Sequence, residues 1–114
     1  VCFHSKDITH HRRIYVCCIK HPILIFCFTN AKHVHFLGQL NREELLEHYK
    51  DSDLFILPTR EDCFALVLME AMCSELPIIC SKYADGAYDL IVEGENGFVI
   101  DPYNAKEFAD AIFN

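Results

Sequence analysis

The chain has 114 residues, 52% of them hydrophobic and 24% charged, the length and balance of one globular domain. Seventeen acidic against ten basic side chains give a formal charge of −7. No overall positive field is therefore available to gather a phosphate backbone, which excludes nucleic acid as an expected partner.

The longest apolar stretch, Pro22 to Phe28 (PILIFCF), falls far short of the roughly 20 residues that cross a bilayer. The first residues, VCFHSKDITHHRR, carry no apolar core behind a basic start and do not read as a secretory signal. A cytoplasmic location is the expectation. The seven cysteines are an odd number, and Cys63, Cys73 and Cys80 stand in apolar runs. They read as reduced, buried thiols rather than as a disulfide framework.

Residues 1–32 resist assignment. His4, His10, His11 and His21 lie among Cys2, Cys17, Cys18 and Cys27, with no helical or strand period before Ile23 to Phe28. They are set apart as an atypical segment, with the domain proper over 33–114. His35-Phe36-Leu37-Gly38 then reads as a short strand closed by a glycine turn. Asn41, followed three residues later by Glu44, is the pattern of a capping box, so a helix is expected from Arg42. Leu45, Leu46 and Tyr49 give it a buried stripe, and Asp51-Ser52-Asp53 ends it.

Leu54 to Leu57 is a continuous apolar run stopped by Pro58, as expected of a strand covered on both faces in a parallel sheet. A second helix is predicted after Asp62, with Phe64, Val67, Leu68, Ala71 and Met72 on its buried face and Pro77 barring its continuation. Pro77 to Cys80 is a further buried strand, Tyr88 to Val92 a helical turn, Gly97 to Ile100 a strand and Ala105 to Phe113 a final amphipathic helix. This alternation implies an α/β, Rossmann-like parallel sheet flanked by helices. Ligands in such sheets sit beyond the carboxyl ends of the strands, which marks Pro58 to Ala65 and Ser81 to Gly86 as the functional edge.

On that edge Asp62 and Glu70 are separated by seven intervening residues, on the order of 12 Å along a helix axis. That is too far for two carboxylates sharing one bond-cleaving event, which need roughly 5 to 10 Å. It suits an extended ligand with hydroxyls at both ends. The free N–H groups of a helix start at Phe64 to Val67 favour a phosphate between them, and a nucleotide sugar has this shape. Taken singly, Asp62 is as readily an ordinary N-cap and Glu70 a solvated helix-face residue.

The run LFILPTREDCFALVLMEAMCSELPIICS resembles the donor-binding segment of retaining glycosyltransferases of group 1 (family 4), enzymes built from two facing Rossmann-like domains. HVHFLGQLNREELLEHYKDSD resembles the strand and helix before that segment, and YADGAYDLIVEGENGFVIDPYNAKEFADAI the part after it. The resemblance covers about residues 33–114 and implies part of a C-terminal, donor-binding domain.

It further implies that Asp62, or the neighbouring Glu61, holds hydroxyls of the transferred sugar, and that Glu70 holds the ribose. The backbone of Phe64, Ala65 and Leu66 would approach sugar and phosphates, and Leu37, Gly38 and Gln39 would lie near the base. No metal or other cofactor is expected. The donor would be a UDP- or GDP-hexose, and the transfer, in glycan or polysaccharide biosynthesis, would go to a hydroxyl acceptor with retention. The acceptor would sit on a separate N-terminal domain, and the full enzyme could associate peripherally with a membrane.

Three residues depart from the family pattern. Asp62 is one methylene shorter than the usual Glu, Ala65 stands where glycine is common, and Glu75 occupies the usual helix-ending glycine. The family's diphosphate-binding Arg and Lys have no counterpart in residues 1–32, where Arg12, Arg13 and Lys20 lie in a different context. Arg60, included in the donor set, and Lys82 are the cations at strand carboxyl ends. Two other readings stand beside a working donor site: a truncated, non-catalytic remnant that packs on another chain, and a metal-binding module formed by Cys17, Cys18, His21 and Cys27.

Overall fold

A computed structural model of the chain describes residues 2–6, 13–17, 34–38, 40–63 and 66–113. The described strands form a six-stranded sheet. They are β1 (Cys2–Lys6), β2 (Arg13–Cys17), β3 (Val34–Gly38), β4 (Leu54–Leu57), β5 (Ile78–Ser81) and β6 (Gly97–Ile100). Helices α1 (Arg42–Asp51), α2 (Leu66–Cys73), α3 (Ala87–Leu90) and α4 (Ala105–Phe113) lie between and after them. The spatial order is β3-β1-β2-β4-β5-β6.

From β2 through β4 and β5 to β6 all pairs are parallel, the arrangement expected when each strand is followed by a helix that carries the chain back. The amino-terminal part differs. β1 runs antiparallel to both β2 and β3, so an antiparallel section extends the parallel, Rossmann-like sheet. β1 and β2 arise within residues 1–32, where no strand period is evident from sequence, and Ile14-Tyr15-Val16 is the β-branched and aromatic signal that marks β2. The Ile23 to Phe28 run lies outside the described residues.

Alternation along the central strands divides the core into two layers. Phe55, Leu57, Ile78 and Cys80 point to one face, where they pack with Tyr49, Leu68, Ala71, Ala84 and Ala87. Leu54, Ile56 and Ile79 point to the other, where Ile100 and the partly buried Phe98, Phe108, Ala111 and Ile112 cover them. Both faces of β4 and β5 are thus sealed, as their unbroken apolar sequences require.

Local signals set the helix ends. Asn41 Oδ1 accepts the Glu44 N–H at 2.9 Å while Glu44 Oε2 accepts the Asn41 N–H at 3.0 Å, the reciprocal pair that starts α1. α4 starts in a similar way, with Asn104 Oδ1 accepting the Glu107 N–H at 3.2 Å. At the end of α2, Glu75 takes a left-handed φ of 60°. There the Leu76 N–H donates to the Ala71 carbonyl and the Glu75 N–H to that of Met72, closing the helix by a Schellman motif.

β6 is an edge strand, and its outer side is occupied locally. The Val99 N–H donates to Glu93 Oε1 at 2.8 Å, and the Gly97 carbonyl accepts the Gly94 N–H at 3.1 Å. Asn96 fixes the turn that precedes it, accepting the Val92 N–H and donating to the Leu90 carbonyl.

Candidate functional site

The carboxyl ends of β4, β5 and β6 deliver three loops to one rim. The loop after β4 leaves the sheet at the buried Pro58, and Thr59 Oγ1 donates to the Glu61 carbonyl at 3.0 Å. Asp62 does not hang free as a loop residue. It forms a parallel bridge with Ala84, its N–H donating to the Tyr83 carbonyl at 3.2 Å and its carbonyl accepting the Asp85 N–H at 3.0 Å. The loops after β4 and β5 are therefore stitched together through their backbones. The Asp62 side chain remains half-buried at the rim, beside the exposed Glu61.

Behind Asp62 lies Cys80, fully buried in β5. Burial, with the neighbouring Asp62 carboxylate adding to it, pushes this thiol up to about 12, although a hydrogen bond from the Ser81 backbone opposes the shift. Cys80 is thus an uncharged core side chain. Cys63 and Cys73, expected to be buried, are exposed; Cys63 precedes the helix, and Cys73 falls off the inward face that Leu68 and Ala71 define.

The rim carries a chain of cation and aromatic contacts. Lys82 Nζ pairs with Asp101 Oδ2 at 2.8 Å and lies 5.2 Å from the Tyr83 ring centroid. Tyr83 meets Tyr103 edge-on at 6.0 Å, and the Arg60 guanidinium carbon stands 5.4 Å from the Tyr103 centroid. Asp101 also accepts the Tyr103 N–H at 3.0 Å. Its hydrogen bond from Lys82, with that from Tyr103 next, holds its carboxyl below the usual range. Lys82 is held above its usual value chiefly by the same bond.

Glu70 lies elsewhere, on the exposed surface of α2. It faces a groove of about 490 Å³ between α1 and α2, lined by Arg42, Leu45, Leu46, Lys50, Met69 and Cys73 among others. Two of its apolar walls are open to solvent, Leu46 at 38% and Met69 at 45% exposure. Leu46, expected in the buried stripe of α1, instead borders this groove, because Leu45 and Tyr49 are one turn apart and take the inward face while Leu46 falls beside it. The groove combines two carboxylates, Glu70 and Glu75, with two cations and apolar side chains, a mixture that can meet both a flat ring and hydroxyls.

Of the other expected contacts, Leu37 is partly buried against the core and Gly38 turns the chain at the end of β3 with φ of 69°. Leu66 is 65% exposed at the start of α2. Gln39, Phe64 and Ala65 lie outside the described residues, as do Cys18, His21 and Cys27 of the metal-site reading. Among the described residues no group of three or more His, Cys, Asp or Glu is placed to hold a metal ion, and no helix is long and apolar enough to cross a membrane. Tyr103 and the α1 side of the groove carry no sequence signal of function, since their neighbours are set only by tertiary packing.

Residues 28–113 match the family described as Glycosyl transferases group 1. The chain is 35% identical over 75 residues to a sulfoquinovosyl transferase of Arabidopsis thaliana, an overlap of 63% of this chain and 14% of that protein. It is 33% identical over 82 residues to a D-inositol 3-phosphate glycosyltransferase of Corynebacterium diphtheriae, covering 72% and 19%. It is 40% identical over 72 residues to a GDP-mannose-dependent alpha-mannosyltransferase of Corynebacterium glutamicum, covering 63% and 17%. The chain therefore matches less than a fifth of the length of each of these relatives.

Proposed function

Because the chain belongs to the group 1 glycosyl transferases, we propose that it holds the nucleotide-sugar donor of a hexosyltransferase, with the nucleoside in the α1–α2 groove and the sugar at the Asp62 rim. The observation that carries this reading is Glu70, an exposed carboxylate lining a groove whose α1 side combines Leu45 and Leu46 with the cations Arg42 and Lys50. A carboxylate accepts two hydroxyl hydrogen bonds at once, which matches the adjacent hydroxyls of a ribose. The side chains of Leu45, Leu46 and Met69 offer surface on which a base can rest.

At the other end, Asp62 or Glu61 takes hydroxyls of the sugar. The backbone bridge from Asp62 to Ala84 fixes the stretch of chain from which the Asp62 carboxylate projects before the donor arrives, which limits the ordering cost of binding. No metal or other cofactor enters this reading. The full enzyme passes the hexose to a hydroxyl acceptor held by a separate N-terminal domain, with retention of anomeric configuration. It does so in the cytoplasm, with peripheral membrane association as a further property of the whole enzyme.

Titration of the chain with UDP and GDP, followed through amide shifts of residues 66–73, tests the reading. The tighter nucleotide is then compared with its 2′-deoxy form. Loss of a hydrogen bond to a charged acceptor is expected to weaken binding about tenfold, and Glu70→Gln is expected to erase most of that preference. Equal binding of the two nucleotides by the wild-type chain would remove Glu70 from the ribose.

A further inference from the structure

Two cations stand on the rim beyond the strands, and their surroundings separate them. Lys82 is committed. Its ammonium group is paired with Asp101 at 2.8 Å, so it already has a carboxylate partner within the protein. Arg60 is not paired with a carboxylate among the described residues and rests instead against the ring of Tyr103 at 5.4 Å. An aromatic face attracts a guanidinium but offers no lone-pair acceptor, so the contact restrains Arg60 while leaving its N–H donors for another group.

Tyr103 is itself held in place. Its N–H is bound by Asp101, its ring meets Tyr83 edge-on, and the Asn104 carbonyl and side chain begin α4 immediately after it. Asp101 thus serves both cations, neutralising Lys82 directly and fixing the tyrosine that holds Arg60. Arg60 also lies two residues before Asp62, whose backbone is locked to the neighbouring loop.

We propose that Arg60 receives the diphosphate of the donor and that Tyr103 is its positioning residue. This rests on the donor-site reading above and adds to it a source of positive charge at the rim. A guanidinium held by a ring presents a planar fork of donors that matches two phosphate oxygens, whereas the ammonium of Lys82 would first have to leave Asp101.

The wild-type chain, Arg60→Ala, Tyr103→Leu, Tyr103→Phe and the Arg60→Ala/Tyr103→Leu double variant are titrated by calorimetry or NMR with UDP and GDP and with uridine and guanosine. With the tighter diphosphate, Arg60→Ala is expected to weaken binding about tenfold. Tyr103→Leu is expected to weaken it about threefold and Tyr103→Phe to restore it, because the ring and not the hydroxyl holds the cation. The double variant should be no weaker than Arg60→Ala alone, since Tyr103 acts through Arg60. Binding of the matching nucleoside should not change in any variant.

An equal loss of nucleoside affinity in Arg60→Ala, an unchanged diphosphate affinity in that variant, or additive losses in the double variant would each overturn the proposal. If the wild-type chain binds a diphosphate and loses affinity with Glu70→Gln but not with Arg60→Ala, this inference fails and the donor-site reading survives. If the wild-type chain binds neither UDP nor GDP at millimolar concentration, both fail.

Discussion

Glu75 is the residue at which sequence and backbone disagree most openly. The Schellman closure of α2 requires a left-handed residue, and Glu75 adopts φ of 60° to supply it. A side chain with a Cβ is disfavoured there, and glycine is not. Glu75→Gly is therefore expected to raise the stability of the chain by about 1 kcal/mol, measured as a higher midpoint in urea at unchanged slope. A lower midpoint would show that the Glu75 side chain contributes more than its backbone conformation costs.

The same position illustrates what single residues disclose in advance. Glu75 was legible because Pro77 and the apolar period bracket the end of α2. Asp62 was legible as a member of the rim but not as a bridge residue, since its partner Ala84 belongs to another loop and pairs through backbone atoms alone. The contact between Arg60 and Tyr103 had no local signature at all. It exists because β4, β5 and β6 are neighbours in that order, and no spacing within the chain encodes that.

At the level of elements, the expected α1, β4, α4 and β6 form, each with boundary signals that act within a few residues: the Asn41–Glu44 capping box, the stop at Pro58, the Asn104 start and the Gly97 turn. β1 was illegible because CFHSK shows no clear alternation, and β2 because the short apolar run in RIYVC, although of strand-favouring residues, has no turn signals beside it and pairs non-locally. Gly97 shows how close two elements can stand. A Cβ on it would overlap the backbone carbonyl of Ile78 in the adjacent strand, and the carbonyl is not free to move because it belongs to the β5–β6 ladder. Gly97→Ala is expected to cost about 1 to 3 kcal/mol, seen as a lower thermal midpoint and faster exchange of the β6 amides. A midpoint equal to that of the wild-type chain would mean that β6 can shift without losing its register.

For the molecule as a whole, membership of the group 1 glycosyl transferases joins this chain to enzymes of which it matches less than a fifth in the relatives compared. At this scale the property to test is binding. A ligand that binds the folded state only, present at ten times its dissociation constant, stabilises it by about 1.4 kcal/mol. UDP or GDP is accordingly expected to raise the thermal midpoint of the chain by several degrees in a concentration-dependent manner. The matching mononucleotide should raise it less, because it lacks the second phosphate that Arg60 is proposed to meet. No shift with either diphosphate at millimolar concentration would deny the chain an independent donor site.

The bridge between Asp62 and Ala84 bears on how such a site could change. Two hydrogen bonds, from the Asp62 N–H and to the Asp62 carbonyl, tie the loops after β4 and β5 on either side of Ala84, so neither loop can drift by degrees without dragging the other. The rim behaves as a latch. It keeps its shape until both bonds part, and then the carboxylate, the Tyr83 ring and the lysine beside it lose their alignment in a single event. Substitutions in residues 83–85 are for that reason expected to disturb the position of Asp62 as well as their own loop.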